Sequence, residues 1–205
     1  MRVKLPREVP VFFRHRGILL SFVAVLLASP AGAQQFGIGA TYGWVNDVTH
    51  DWALDGFHNY AWEAWFESKL EDNVVTRLNV GALQVAGSNV GQPIGAGAPL
   101  PVMPSYNDQI GYVTVDVSYL LLKGPVTSGL FAGIGGYKLT PKDVPAGFQP
   151  YEDPRQTVFG WNAGVDGSVH LYRGLALVGR VTFHDVMTES RRYLLVASVG
   201  AMYRF

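Results

Sequence analysis

The chain has no cysteine. Disulfides and thiolate metal sites are therefore excluded, and nucleophilic thiol chemistry with them. Charge is scarce as well: Asp, Glu, Lys and Arg make up 16% of the 205 residues, against about a quarter in a soluble globular domain. Although apolar residues reach 48%, they never run to the 18 or more in a row that a transmembrane helix requires. Net charge is zero, without the basic excess that nucleic acid calls for. A chain this apolar, carrying 24 glycines and no greasy helix, points to strands with one apolar face.

The zero net charge hides an asymmetry. Five of the sixteen basic residues (Arg2, Lys4, Arg7, Arg14 and Arg16) and a single acid, Glu8, fall in residues 1–33. An apolar stretch, Gly17–Ala28, follows, and then Ser29-Pro30-Ala31-Gly32-Ala33. A basic start, a short apolar core and small residues at Ala31 and Ala33 form a Sec-type secretory signal, with cleavage expected after Ala33. The apolar core is too short to serve as a membrane anchor. Residues 34–205 then form one domain of 172 residues with a net charge of −4.

Within that domain strict alternation, the mark of a strand with two unlike faces, recurs eight times. It runs through residues 35–45, 57–67, 74–86, 110–121, 129–139, 158–170, about 175–184 and 193–205. In the first run Phe36, Ile38, Ala40, Tyr42 and Trp44 oppose Gln35, Gly37, Gly39, Thr41 and Gly43. In the last, every second residue from Tyr193 to Phe205 is apolar. Such runs are long enough to cross a hydrocarbon layer about 25 Å tall when tilted. Short turns near residues 68–73, 122–127 and 172–174 alternate with mostly longer loops at 46–56, 87–108, 140–156 and 185–192. The expected fold is all-β: an eight-stranded antiparallel transmembrane β-barrel with short periplasmic turns and longer extracellular loops.

A soluble sandwich or lipocalin-like barrel would also alternate, with its apolar face inward. Its other face would then meet water and carry abundant charge. Here that face holds Gly, Ser, Thr, Asn and scattered ions, as a tight polar lumen would. Aromatic residues also gather at strand ends. Tyr42, Trp44, Tyr60, Trp62, Phe159, Trp161, Phe183 and Tyr193 lie toward the loops, and Phe36, Phe66, Tyr119, Tyr203 and Phe205 toward the turns. Two belts at matching heights are what a bilayer with two interfaces selects.

The terminal segment Tyr193–Phe205 resembles the C-terminal signal of outer-membrane proteins, an amphipathic strand ending in an aromatic residue, here Tyr203 and Phe205. The segment Gly129–Tyr137 (GLFAGIGGY) resembles the Gly-rich fifth strand of the small outer-membrane barrels, the OmpA/OmpX/OmpW-like and opacity-protein group. The resemblance implies a location in the bacterial outer membrane, contact with its lipid and lipopolysaccharide, and handling by the barrel-assembly machinery. It also implies a monomer without cofactor. The peptidoglycan-binding domain of some relatives is not expected here.

Chemistry has few places to sit. Eight strands enclose an interior just wide enough for side chains, so the lumen-facing ions Glu63, Arg77, Asp116, Asp166 and Arg180 are expected to pair as a structural plug. Across the intervening turns Glu63 should meet Arg77, Asp166 should meet Arg180, and Asp116 should lie near Asn79 and Arg77. Asp166, Ser168 and His170 share one strand face, but a hydrolase triad also needs an exposed nucleophile and an oxyanion hole. The Ser168-Val169-His170 order reverses the His-x-Ser pair of barrel lipid A deacylases. His50, His58 and His184, with Asp47, Asp51, Asp55 and Asp185, read as solvated loop polarity rather than a metal site. The expected role is structural or interaction-based, through the four loops and without catalysis. Transport of a small hydrophobic molecule through a narrow or lateral opening comes second, and lipid A modification third.

Overall fold

The computed structural model describes residues 35–49, 59–89, 105–142, 157–189 and 191–205. The expected signal segment 1–33 lies outside the described residues, as do His50, Asp51, Asp55 and His58. The chain forms β1 (Phe36–Asp47), β2 (Asn59–Glu71), β3 (Val74–Asn89), β4 (Ser105–Leu122), β5 (Val126–Lys142), β6 (Thr157–Tyr172), β7 (Leu175–Val186) and β8 (Arg192–Arg204). Every strand pairs antiparallel with its neighbours in sequence, and β1 with β8, so the sheet closes on itself. No helix occurs among the described residues. Closure satisfies every strand edge, the condition for strands to cross a hydrocarbon layer.

The registers carry a stagger. Traced from Tyr42 through Trp62, Ala82 and Gly111, the pairing reaches Lys138 on β5. Traced the other way through Val199, Gly179 and Gly167, it reaches Ser128, ten residues lower on the same strand. That shear sets the strands at a tilt of about 35–45° to the barrel axis.

Faces follow the alternation. Ile38, Val117, Leu130, Val165, Leu177 and Val199 stay 47–57% exposed, while the alternate positions Thr41, Asn79, Thr114, Asn162 and Thr182 are buried. The greasy face therefore points outward around the whole ring, which a soluble barrel cannot tolerate. Rings pair along both belts: Tyr42 with Tyr60, Trp161 with Phe183 and Phe183 with Tyr193 above, Phe36 with Phe66 and Phe205 below.

The turns are tighter than the sequence pattern suggests. Only Asp72 and Asn73 separate β2 from β3, and only Arg173 and Gly174 separate β6 from β7. Arg173 (φ 40°) and Gly174 (φ 86°) are both left-handed, the geometry of a type I′ hairpin turn, whose twist matches that of the flanking strands. At the other end β3, β4 and β5 reach 16, 18 and 17 residues, past the segments where polarity alternates. Ladder bonds persist above the hydrocarbon layer, but the apolar–polar contrast that marks a strand in sequence is no longer needed there.

Candidate functional site

The barrel interior is layered. At the loop end, inward-facing Val45, Leu83, Ile110, Leu139, Val186 and Leu194 form a buried apolar cluster together with Tyr112 and Tyr137. The expectation of a polar lumen throughout is thus corrected. The cluster lies level with the loop-side aromatic belt, Val45 following Trp44 and Leu194 following Tyr193, and there the barrel packs an apolar core inside as a soluble domain would. Below this stopper lie the ions, and near the turns Trp65, Ala176, Val178 and Met202 form a second apolar cluster.

The five ionic residues read from the sequence all face the lumen and are all buried. Their pairing differs from the expected one. Arg180 binds Glu63, and its Nη2 lies 3.3 Å from Asp116. Arg77 binds Asp166, and its Nε lies 3.1 Å from Glu67. Neither Glu63 with Arg77 nor Asp166 with Arg180 is an ion pair, although Asp166 stands directly opposite Arg180 in the ladder. Asp116 does stand opposite Arg77, yet its ionic partner is Arg180.

Two physical reasons account for the change. First, β2 continues through Ser68–Glu71, a stretch whose polarity reads as a turn, so Glu67 rather than Glu63 comes opposite Arg77. Second, side chains converge on the axis of so narrow a barrel, and a guanidinium reaches across the lumen as easily as along the sheet. Strand parity puts charges inside; register alone does not choose their partners.

Three contributors were missed. Glu67 accepts from both Arg77 and Arg204, the latter at 2.7 Å. Tyr112 donates to Glu63 at 2.8 Å. Glu67 shares the face of Glu63 four residues on, so a shorter turn would have exposed it; nothing in the local pattern singles out Arg204 or Tyr112. Four carboxylates thus meet three guanidiniums. Asn162 donates to Asp116 at 3.1 Å and Asn79 to Thr114 at 3.1 Å, so neutral amides extend the network. Arg180 also stacks over the Phe131 ring, 4.4 Å from its centroid.

Room for these groups comes from glycine. A Cβ on Gly81 would lie 2.5 Å from the Tyr112 hydroxyl, and one on Gly39 2.2 Å from the Trp65 ring. What remains is a void of about 10 Å³ among Thr41, Glu63, Tyr112, Thr182, His184 and Ser198, space for roughly one water. A wider cavity of about 370 Å³ occupies the turn end, bounded inward by Glu67 and Arg204. It lies beneath the ionic layer.

The other candidates separate. Asp166 is bound by Arg77, Ser168 contacts Thr127, and His170 lies on the exposed rim 3.4 Å from Arg204. No relay links the three. His184 is not at the loop surface but buried in the lumen, its Nδ1 3.0 Å from the Tyr137 hydroxyl. No group of three or more potential metal ligands occurs among the described residues. Asp185 accepts from the Trp161 indole at 2.9 Å, and Asp47 from the Thr49 amide at 3.0 Å.

A closed ring of eight meandering strands, greasy outside and plugged inside, matches solved structures. Neisserial surface protein A aligns with a TM-score of 0.55 at 12% identity over 85% of this chain and 98% of its own. A major outer membrane protein from Thermus thermophilus aligns at 0.52 and 16% identity, over 85% and 100%. The N-terminal β-barrel domain of Pseudomonas aeruginosa OprF aligns at 0.51 and 14% identity, over 83% and 97%. The fold is that of the small eight-stranded outer-membrane barrels. At these identities the likeness is one of fold, and it fits the OmpA/OmpX-like group suggested by Tyr193–Phe205 and Gly129–Tyr137. No protein-family model matches the chain, and no curated protein matches it in sequence.

Proposed function

We propose that the chain is an integral outer-membrane protein, exported through the signal in residues 1–33, that acts structurally and by surface contact through its extracellular loops. One observation carries this reading. The lumen is blocked twice, by the apolar stopper around Leu83, Ile110 and Leu194 and by the ion layer on Arg77 and Arg180. A barrel filled in this way has its outer rim left for function, and loops on a rigid scaffold are where contact residues usually sit. Lateral passage would need a weak seam, whereas all eight strand pairs carry long ladders, including eleven residue pairs between β1 and β8. No catalytic role is proposed: Ser168, which shares a strand face with Asp166 and His170, bonds to Thr127 instead.

The test has two arms. Cell fractionation and surface proteolysis should place the protein in the outer membrane with cleavable loops between 49 and 59, 89 and 105, and 142 and 157. Planar-bilayer recording of the refolded protein should give no stable conductance. Recovery in the soluble fraction, or sustained channel current, would overturn the proposal.

A further inference from the structure

The aromatic belt on the loop side is incomplete. Corrected for the stagger of the barrel, the outward residues at that height are Trp44 on β1, Tyr60 and Trp62 on β2, Phe159 and Trp161 on β6, Phe183 on β7 and Tyr193 on β8. On three consecutive strands no outward ring stands at that height among the described residues. There β3 presents Ala82 and Gln84, β4 Gly111 and Gln109, and β5 Gly136 and Lys138. A bilayer interface favours Trp and Tyr, so a gap three strands wide leaves room at this height for another occupant.

The chemistry of the gap indicates which. Gly111 pairs with Lys138 and lies beside Gly136. A Cβ at Gly111 would meet no atom within 4 Å, and one at Gly136 only the Thr157 methyl at 3.8 Å. The surface therefore dips just below the lysine. Above, Lys142 stands on the same face of β5, with Asn107 as its ladder partner. Both lysines are exposed. No acid shares the outward face of this sector among the described residues, because the nearby Asp108 points inward and binds Arg192 at 2.7 Å. The neighbouring ring-bearing sector, in contrast, carries Asp185 on the outward face of β7, where it accepts from the Trp161 indole.

We propose that the β3–β5 sector is a docking notch for a phosphorylated glycolipid of the outer leaflet. Its phosphate sits on Lys138 and Lys142, its sugar on Gln84 and Gln109, and the start of an acyl chain over Gly111 and Gly136. Cations at a membrane surface attract anionic headgroups, amides hydrogen-bond sugar hydroxyls, and the missing rings leave the volume. The inference rests on the outer-membrane location proposed above and names a partner for it.

Diphosphoryl lipid A, titrated into the refolded full-length mature protein in zwitterionic micelles and followed by native mass spectrometry, provides the test. One lipid per barrel is expected to bind above background. Loss of one lysine in Lys138→Gln should weaken binding about five-fold, and loss of both with Lys142→Gln about thirty-fold, while Lys138→Arg should keep it. Gly136→Trp fills the notch without touching charge and should also weaken binding. Lys123→Gln, in the turn at the opposite end, should have no effect. A heat-dependent gel shift checks that each variant is folded. The proposal is overturned if dephosphorylated lipid A binds equally, or if Lys123→Gln weakens binding as much as the double variant. It is also overturned if the barrel runs as a dimer that Gly136→Trp dissociates, since a second copy would then fill the gap. Fractionation to the outer membrane with no lipid A binding would sink this inference alone; a soluble protein would sink the location as well.

Discussion

Arg180→Met is the sharpest probe of the lumen. Arg180 is 2% exposed and holds two carboxylates from different strands, Glu63 and Asp116. Methionine keeps much of the volume but leaves both acids without their cation. Breaking a buried ion pair from one side costs about 3–5 kcal/mol. Glu63 retains the Tyr112 hydroxyl and Asp116 the Asn162 amide, which limits the loss. The stacking of Arg180 over Phe131, at 4.4 Å, adds about 0.5–2 kcal/mol, so a value near the top of the range is expected. Urea unfolding in lipid vesicles, followed by tryptophan fluorescence and gel mobility, measures it. Two double-mutant cycles then identify the partner. Arg180→Met with Glu63→Gln should show a coupling of about 1–3 kcal/mol, exceeding that of Arg180→Met with Asp166→Asn. If the Asp166 cycle gives the larger coupling, pairing along the ladder is correct and the cross-lumen arrangement is refuted. A single-mutant loss under about 1 kcal/mol would show that the cluster is hydrated rather than buried.

Three further outcomes follow from the same geometry. Gly81→Ala, which drives a Cβ against the Tyr112 hydroxyl and the Trp62 carbonyl, should destabilise by about 1–3 kcal/mol. Gly111→Ala, with open space around it, should stay within about 0.5 kcal/mol of wild type in the same urea titration. Deleting Phe205 removes two seam hydrogen bonds to Phe36 and a ring that is 62% exposed, a loss of about 2–4 kcal/mol. Outer-membrane levels should fall much further than that stability loss explains, and normal levels would remove the terminal strand as an assembly signal. Unboiled protein should migrate faster than boiled protein, because a closed ladder offers detergent no free edge; identical mobilities would argue against closure.

The number of strands, the face of each and the direction in which the greasy face points are all legible in local alternation. Its period is two, so Ile38, Val117 and Val199 declare their side of the sheet without reference to any neighbour. Near-absence of charge opposite them then says that the apolar side meets lipid. The same parity placed Glu63, Arg77, Asp116, Asp166 and Arg180 inside. Which of them meet was settled by the closed barrel. That choice depends on where β2 ends, at Glu71 rather than near Glu67, and on distances across a ring to which residues far apart in the chain contribute. Arg180 and Glu63 are 117 positions apart, and no local pattern encodes their meeting. The apolar stopper stayed hidden for a related reason. Val45, Leu83, Ile110 and Leu194 look ordinary where each strand leaves its alternating stretch, and they become a core only when the strand ends converge on one axis. The broken aromatic belt over β3–β5 likewise needs the stagger of the barrel, because height in the membrane is a property of the closed sheet and not of any single strand.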